Sequence, residues 1–479
     1  MPTTSKTGLA VNYAFLLAPF LLDKVDLPCS LLSIKCILPI IYPILMDYSI
    51  TAQVAVFFSI LNNLLLGLSN EYILRVPTWY ILFWTLLGLF FTTFVFPPLE
   101  IIAPTGPYKV GVVEGFIPPM EKLEGHKRNS TVKIRVLYPT MSASTSSSSS
   151  KYLPQGSRIC TEFMEFGAPP PLKKFGFLLH YWTLIKSCFV DNAPLADCDE
   201  KFPVVIYSHG LGAVANLYSI QAGNLASSGK VVVLVEHQDR SAMITHNELG
   251  EEVNYDKSIV LLNVDGVDTP EYVRKRRAQC EVRCWEVQQA TKYFIEMHKK
   301  GKQTEDFLQL LKGRLDVAKG VNIVGHSMGG ATAINAAGRS PELYKSVVVH
   351  DPACDWVCDD VRIDLLSGTG QAGLGGFLST KKVSKGLGEC PLFFIYCEDW
   401  VDKNWGFSGV LFEKLEDGSL GKKGSKGAKL VSGTHNEFSD NSVIVPMWLG
   451  KAIRNCGPDP DKAHRVVSEM TRAFMDSFA

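Results

Sequence analysis

The chain has 479 residues, 48 of them basic and 48 acidic, and 46% hydrophobic. That length exceeds one ordinary domain of roughly 100–250 residues, so a large domain with an appendage is expected. The neutral balance argues against a nucleic-acid partner held by a basic surface.

The first hundred residues carry four apolar stretches, at 9–22, 28–46, 52–68 and 77–98. The last has no charged residue and is long enough for the ~20 apolar residues that a bilayer-crossing helix needs. A cleaved signal peptide is one short run, whereas these follow in succession. Residues 1–103 are therefore read as a hydrophobic N-terminal region of three or four transmembrane helices. On this reading the protein is multi-pass and the membrane is a partner. Trp79, Tyr80 and Trp84 suit an interfacial belt.

From residue 104 the composition turns globular, and 104–479 is read as one catalytic domain. The segments 105–115 and 131–139 form two strands of a hairpin or meander. A low-complexity loop of serines at 142–150 cannot pack a core. Apolar β-branched runs follow at 203–210, 230–237, 321–327, 346–351 and 391–398, with helical patterns between several of them, the longest over 270–299. A Gly- and Lys-rich stretch at 417–429 reads as a second solvated loop, before a short strand at 428–432. Continuous apolar strands alternating with helices predict an α/β fold with a mostly parallel central sheet covered by helices on both faces. Sites in such sheets lie at the carboxyl ends of the strands.

The twelve cysteines include no C-x-x-C pair. Cys280/Cys284 and Cys354/Cys358 are four apart with no second pair to complete a zinc pattern. Buried thiols are expected, with a Cys188–Cys198 disulfide as the alternative in an oxidising compartment. No metal or organic cofactor is called for. Asn129-Ser130-Thr131 is one glycosylation sequon.

Gly325-His326-Ser327-Met328-Gly329, with Gly330 after it, matches G-x-S-x-G between an apolar strand and a small-residue helix. The serine must sit on a cramped strand-to-helix turn, where side chains at 325 and 329 would meet backbone. The helix N-terminus behind it favours developing negative charge. This is the nucleophile context of an α/β-hydrolase, in which an acid and then a histidine follow the serine in the chain.

A serine hydroxyl needs a base, and the base needs an orienting group. Asp351, at the carboxyl end of the next strand, is the expected acid, with Asp355 as runner-up. His435, in a Gly-containing loop, is the expected base. His464, the other late histidine, falls on a terminal amphipathic helix and reads as a surface or packing residue. The oxyanion needs donors, expected from the amides of Met328 and, in the loop 208–213, Leu211. His209 reads equally as a pocket-shaping or a packing histidine. Glu236, Asp239 and Arg240 read as a salt-bridge cluster holding their loop.

Y-S-H-G-L-G-A at 207–213, E-H-Q-D-R-S-A at 236–242 and G-H-S-M-G-G-A-T at 325–332 together resemble the plasma-type platelet-activating factor acetylhydrolases. The stretches 105–111, 135–140 and 432–440 extend the resemblance over about 104–450. It implies a calcium-independent serine esterase that removes short or oxidised acyl groups from the sn-2 position of phospholipids. The family's serine, aspartate and histidine map onto Ser327, Asp351 and His435, and its oxyanion amides onto Leu211 and Met328. Phospholipid is then the expected substrate. Other readings fit the same residues: a carboxylesterase of soluble esters, a serine peptidase of this fold, or a membrane interaction protein with a vestigial hydrolase domain.

Overall fold

The computed structural model describes Phe83, residues 86–88, Phe90 and residues 101–479, except 122–130, 143–148, 168–172, 174–175, 265–266, 298–303, 367–386, 388–389, 446–449, 452–454 and 479. The apolar stretches 9–22, 28–46 and 52–68 lie outside the described residues. Among the described residues no helix is long and apolar enough to cross a membrane. The expectation of a multi-pass membrane protein is corrected on that finding.

The strands in chain order are β1 (Lys109–Ile117), β2 (Val132–Thr140), β3 (Ser149–Lys151), β4 (Lys186–Asp191), β5 (Phe202–Ser208), β6 (Val231–Glu236), β7 (Ile244–His246), β8 (Glu252–Asn254), β9 (Asn263–Val264), β10 (Val267–Asp268), β11 (Leu315–Asp316), β12 (Val321–His326), β13 (Tyr344–His350), β14 (Leu392–Cys397) and β15 (Lys426–Leu430). One large sheet runs in the order β15-β14-β13-β12-β5-β6-β2-β1-β4-β3. The six strands from β15 to β6 are mutually parallel. β2 is antiparallel to both β6 and β1, which places the hairpin β1–β2 on the flank of the parallel core.

The period-2 alternation of each strand divides the interior into two layers. Val204, Ile206, Val233, Ile323, Val347 and Phe394 face the first. Among the described residues the α-helices of eight or more residues are α1 (Ser157–Gly167), α2 (Ser219–Ser227), α3 (Pro270–Glu296), α4 (Met328–Arg339), α5 (Ser408–Glu416) and α6 (Pro460–Asp476), of which α3 and α4 cover this face. Val205, Tyr207, Val232, Val324, Val348 and Phe393 face the other, under α2 (Ser219–Ser227) and the terminal α6 (Pro460–Asp476). Buried strands that alternate two apolar faces read in sequence as unbroken Val/Ile runs, as β6 and β13 do.

Thr269 caps α3, its hydroxyl accepting from the Tyr272 N–H, with Pro270 at the first helical position. Asp459 and Pro460 start α6 in the same way. The 17-residue amphipathic α6 buries His464, whose ring meets the Ser442 hydroxyl. That fulfils the packing alternative for this histidine.

Two loop readings differ from the structure. The serine tract expected at 142–150 ends in β3, where Ser149 and Lys151 pair antiparallel with β4. The stretch 417–429 ends inside the edge strand β15. Edge pairing uses backbone groups alone, so residue composition carries little sign of it. Among the described residues all ten cysteines are free, Cys188 and Cys198 included.

Candidate active site

β12 ends at His326 and α4 begins at Met328, so Ser327 occupies the turn between them with φ 56° and ψ −120°. A β-substituted residue is rarely held at positive φ, and such strain persists only where the surroundings enforce it. Here the Ser327 N–H donates to the His350 carbonyl at 2.9 Å. The Ser327 carbonyl accepts from Ala331 and Ala353. The turn is closed tightly by glycine. A Cβ on Gly325 would meet the Gly329 carbonyl, and one on Gly329 would meet the carbonyls of Ser208 and His209. Gly329→Ala is therefore expected to destabilise the chain by at least the roughly 1–3 kcal/mol that overpacking costs. A denaturation midpoint equal to the parent's would refute this.

β13 delivers Asp351, also at positive φ (41°) and fully buried. Its Oδ1 accepts the Cys397 N–H at 2.8 Å, and its Oδ2 lies 3.0 Å from His435 Nδ1. With Asp351 as acceptor, Nδ1 carries the proton and Nε2 is left with a free lone pair. Asp355, the runner-up, makes no hydrogen bond to His435 among the described residues, and its backbone carbonyl accepts from Arg277. No hydrogen bond joins Ser327 Oγ to His435 among the described residues. Such contacts are often loose before substrate arrives.

His435 opens a short helical turn, His435–Phe438, held by a capping box between Thr434 and Glu437. Glu437 accepts the N–H groups of Thr434 and Gly457. The imidazole lies between two rings. Trp400 stacks on it at 4.2 Å with an 8° interplanar angle, and His326 lies 4.4 Å from it at 44°. No residue pattern marks Trp400, which stands on the short helix Glu398–Asp402 after β14.

Five residues on, Asp440 anchors the same loop. Its carboxylate accepts the Ser219 and Ile220 N–H groups at the start of α2 and the Tyr152 hydroxyl. Burial pushes this carboxyl up to about 7, against about 3.9 in an unfolded chain. Between those values the folded chain holds a proton that the unfolded chain has released. The stability contribution of Asp440 therefore falls as pH rises from about 4 to about 7 and returns as pH drops. His464, pushed down to about 4 by burial, acts in the opposite sense. The difference between parent and Asp440→Asn cancels it. That difference in unfolding free energy is expected to move in the variant's favour as pH rises through the window. A difference independent of pH would refute the assignment.

The loop after β5 faces the serine. Gly210 comes so close that a Cβ there would stand 3.3 Å from Ser327 Cβ. Within this loop the Gly210 N–H donates to the Tyr218 hydroxyl at 2.8 Å, and the Gly212 N–H to the Ser241 carbonyl. The Leu211 N–H donates no hydrogen bond among the described residues. Met328, at the first position of α4, has an amide that the helix itself leaves unpaired. Tyr218 accepts from Gly210 and so gives its own proton to His326 Nδ1, 2.8 Å away. This ties the loop to the residue before Ser327.

Beneath the loop lies a buried polar cluster. His209 donates from Nδ1 to the Gly210 carbonyl and accepts the His237 N–H at Nε2. His237 bridges the Ser208 hydroxyl and Glu286, at 2.7 and 2.6 Å. Burial raises the Glu286 carboxyl well above the usual carboxylate range and holds the His237 imidazole well below its own. The expected salt-bridge cluster of Glu236, Asp239 and Arg240 is not formed: Glu236 accepts the Ala215 N–H at 2.9 Å and lies 3.5 Å from His209 Nε2. Arg240 points outward, 3.7 Å from Asp256, and the buried partner of Asp239 is Arg283 from α3.

The family model described as platelet-activating factor acetylhydrolase, isoform II, matches residues 94–359. This chain belongs to that family. The match covers β1, the loop after β5, Ser327 and Asp351, and stops before His435. Relatives named platelet-activating factor acetylhydrolase align from Cavia porcellus, 28% identical over 60% of this chain and 59% of that protein, and from Gallus gallus, 26% identical over 62% and 67%. A protein named putative phospholipase A2 from Schizosaccharomyces pombe is 28% identical over 52% of this chain and 62% of its own length. This chain thus spans about three fifths of the first of these relatives. A ferulic acid esterase from Streptomyces cinnamoneus superposes over 79% of this chain and 92% of its own, at 17% identity and a TM-score of 0.49. The fold assignment rests instead on the sheet order and the strand–Ser327–helix turn.

Proposed function

We propose that the 104–479 segment is a serine esterase domain that hydrolyses the sn-2 ester of phospholipids bearing short or oxidised acyl chains. The observation that carries the chemistry is the bond of the fully buried Asp351 to His435, with Asp351 at the carboxyl end of β13 beside Ser327, held at positive φ, at the carboxyl end of the neighbouring β12. Membership of the acetylhydrolase family supports the substrate class.

In this mechanism His435 Nε2 takes the proton of Ser327 Oγ as the oxygen attacks the ester carbonyl. Asp351 keeps the proton on Nδ1 and stabilises the imidazolium that forms. The amides of Leu211 and Met328 donate to the carbonyl oxygen as it gains charge. The C–O bond to the lysolipid breaks, and its oxygen leaves with the proton from His435. Water, deprotonated by His435, then attacks the acyl-enzyme and releases the acid and Ser327. Each step uses side chains and backbone amides of this chain.

The test compares hydrolysis of sn-2 acetyl and sn-2 long-chain phosphatidylcholine by the purified chain in the presence of a chelator. Acetate release with little long-chain cleavage is the expected result. Hydrolysis of soluble short-chain esters without phospholipid cleavage would overturn the substrate and leave the triad. Loss of all activity on chelation would overturn the mechanism.

A further inference from the structure

We infer that Arg283, midway along α3 and outside the reacting set, is the residue that aims the oxyanion donor of Leu211; this rests on the esterase reading above. Arg283 is fully buried and reaches across the cluster to the loop after β5. Its NH1 donates to the His209 carbonyl at 2.7 Å and its NH2 to the Gly210 carbonyl at 3.3 Å. Its Nε donates to the Ser241 hydroxyl at 2.8 Å, and Asp239 Oδ2 lies 3.4 Å away.

The consequence follows from the planar trans peptide. The carbonyl of Gly210 and the N–H of Leu211 belong to one peptide unit and point in opposite directions. Holding that carbonyl on the α3 side turns the Leu211 N–H to the opposite side, and the neighbouring Gly210 packs directly against Ser327. Two further N–H groups of the loop and the Gly210 carbonyl are committed as well. Gly210 N–H goes to Tyr218, Gly212 N–H to Ser241, and the Gly210 carbonyl takes a second bond from His209 at 2.8 Å. Among the described residues the Leu211 N–H donates no hydrogen bond, which leaves it to receive a developing charge.

The guanidinium suits this task because its planar fork serves two successive carbonyls at once, which one ammonium cannot do in the same geometry. Glu286 stands three residues after Arg283, on the same face of α3. Through His237 it holds the Ser208 hydroxyl at the start of the loop. One turn of α3 thus holds residues 208 to 210 through three contacts. A positioned donor of this kind matters because an oxyanion hole acts by being organised before the charge appears.

The experiment measures p-nitrophenyl acetate hydrolysis by Arg283→Lys and by Arg283→Met combined with Asp239→Asn. The double variant avoids leaving Asp239 buried and unpaired. Beside them stand the parent, Ser327→Ala and a trifluoromethyl ketone inhibitor whose adduct carries an oxyanion. The expected result is a kcat lower by about 10²-fold, the scale of one lost oxyanion donor. KM should stay near the parent's, and inhibitor affinity should weaken in step with kcat. A folded variant with kcat within about threefold of the parent overturns the inference and leaves the esterase reading standing. If neither variant folds, Arg283 is only structural and the inference falls. If Ser327→Ala keeps the parent's rate, the esterase reading fails, and the role of Arg283 with it.

Discussion

Ser327→Ala is expected to lower kcat for ester hydrolysis by about six orders of magnitude, the scale seen when a serine nucleophile is removed from a hydrolase triad. Three features of the turn lead to that size. The backbone at Ser327 is held at φ 56° by bonds from both its N–H and its carbonyl. Such a conformation has no folding advantage, so its retention has to be explained by what it exposes. Glycines on either side, at 325 and 329, let β12, α4 and the loop after β5 come within backbone contact. The hydroxyl at this point sits beside an unpaired helix-terminal amide, where an alkoxide and an oxyanion are both stabilised. Alanine removes the attacking atom and leaves that environment intact. The variant should fold with the parent's stability, retain a small residual rate from the oxyanion amides, and lose labelling by a fluorophosphonate probe. Undiminished hydrolysis or labelling would place the nucleophile elsewhere.

How much of this site could be read in the residues depends on how local each interaction is. The turn around Ser327 announces itself because strand, glycines and small-residue helix are contiguous. The positions of Asp351 and His435 follow from strand order, since each lies just past a strand of the parallel core. Leu211 is marked by the glycines on either side of it. Arg283 and Glu286 carry no such mark. They sit on a helix rich in Arg, Glu and Gln whose pattern resembles a solvated one, yet both are buried because α3 crosses the sheet beneath the loop after β5. That crossing brings together residues 74 apart in the chain, a distance no periodicity spans. For the same reason the charged group E-H-Q-D-R suggests pairing among its own neighbours, whereas Asp239 pairs with Arg283, Glu236 accepts the Ala215 N–H and Arg240 faces solvent. Trp400 carries no mark in the sequence because its stacking on His435 joins the short helix Glu398–Asp402 to the helical turn His435–Phe438, which meet only in the folded sheet.

Asp351→Asn is expected to lower kcat by about 10⁴-fold with little change in fold, the effect of replacing the triad carboxylate by its amide. The reason lies in the two acceptors of this side chain. Oδ1 takes the Cys397 N–H and Oδ2 takes the proton of His435 Nδ1. An asparagine can satisfy Cys397 with its carbonyl oxygen, and then presents its amide N–H to His435. A donor in that place favours the tautomer with the proton on Nε2 and a lone pair on Nδ1. His435 is then unable to take the Ser327 proton, although it sits where it did before. The imidazolium also loses its counter-charge, in a site where Trp400 and the neutral, buried His326 occupy the two faces of the ring. Asp355→Asn, by contrast, changes a carboxylate that makes no hydrogen bond to His435 among the described residues, in a residue whose backbone carbonyl accepts from Arg277. Its kcat should stay within about threefold of the parent's, the range of a substitution that removes no transition-state contact. Measured side by side on one ester, the two variants decide the acid, because a greater loss from Asp355→Asn than from Asp351→Asn would reverse the assignment.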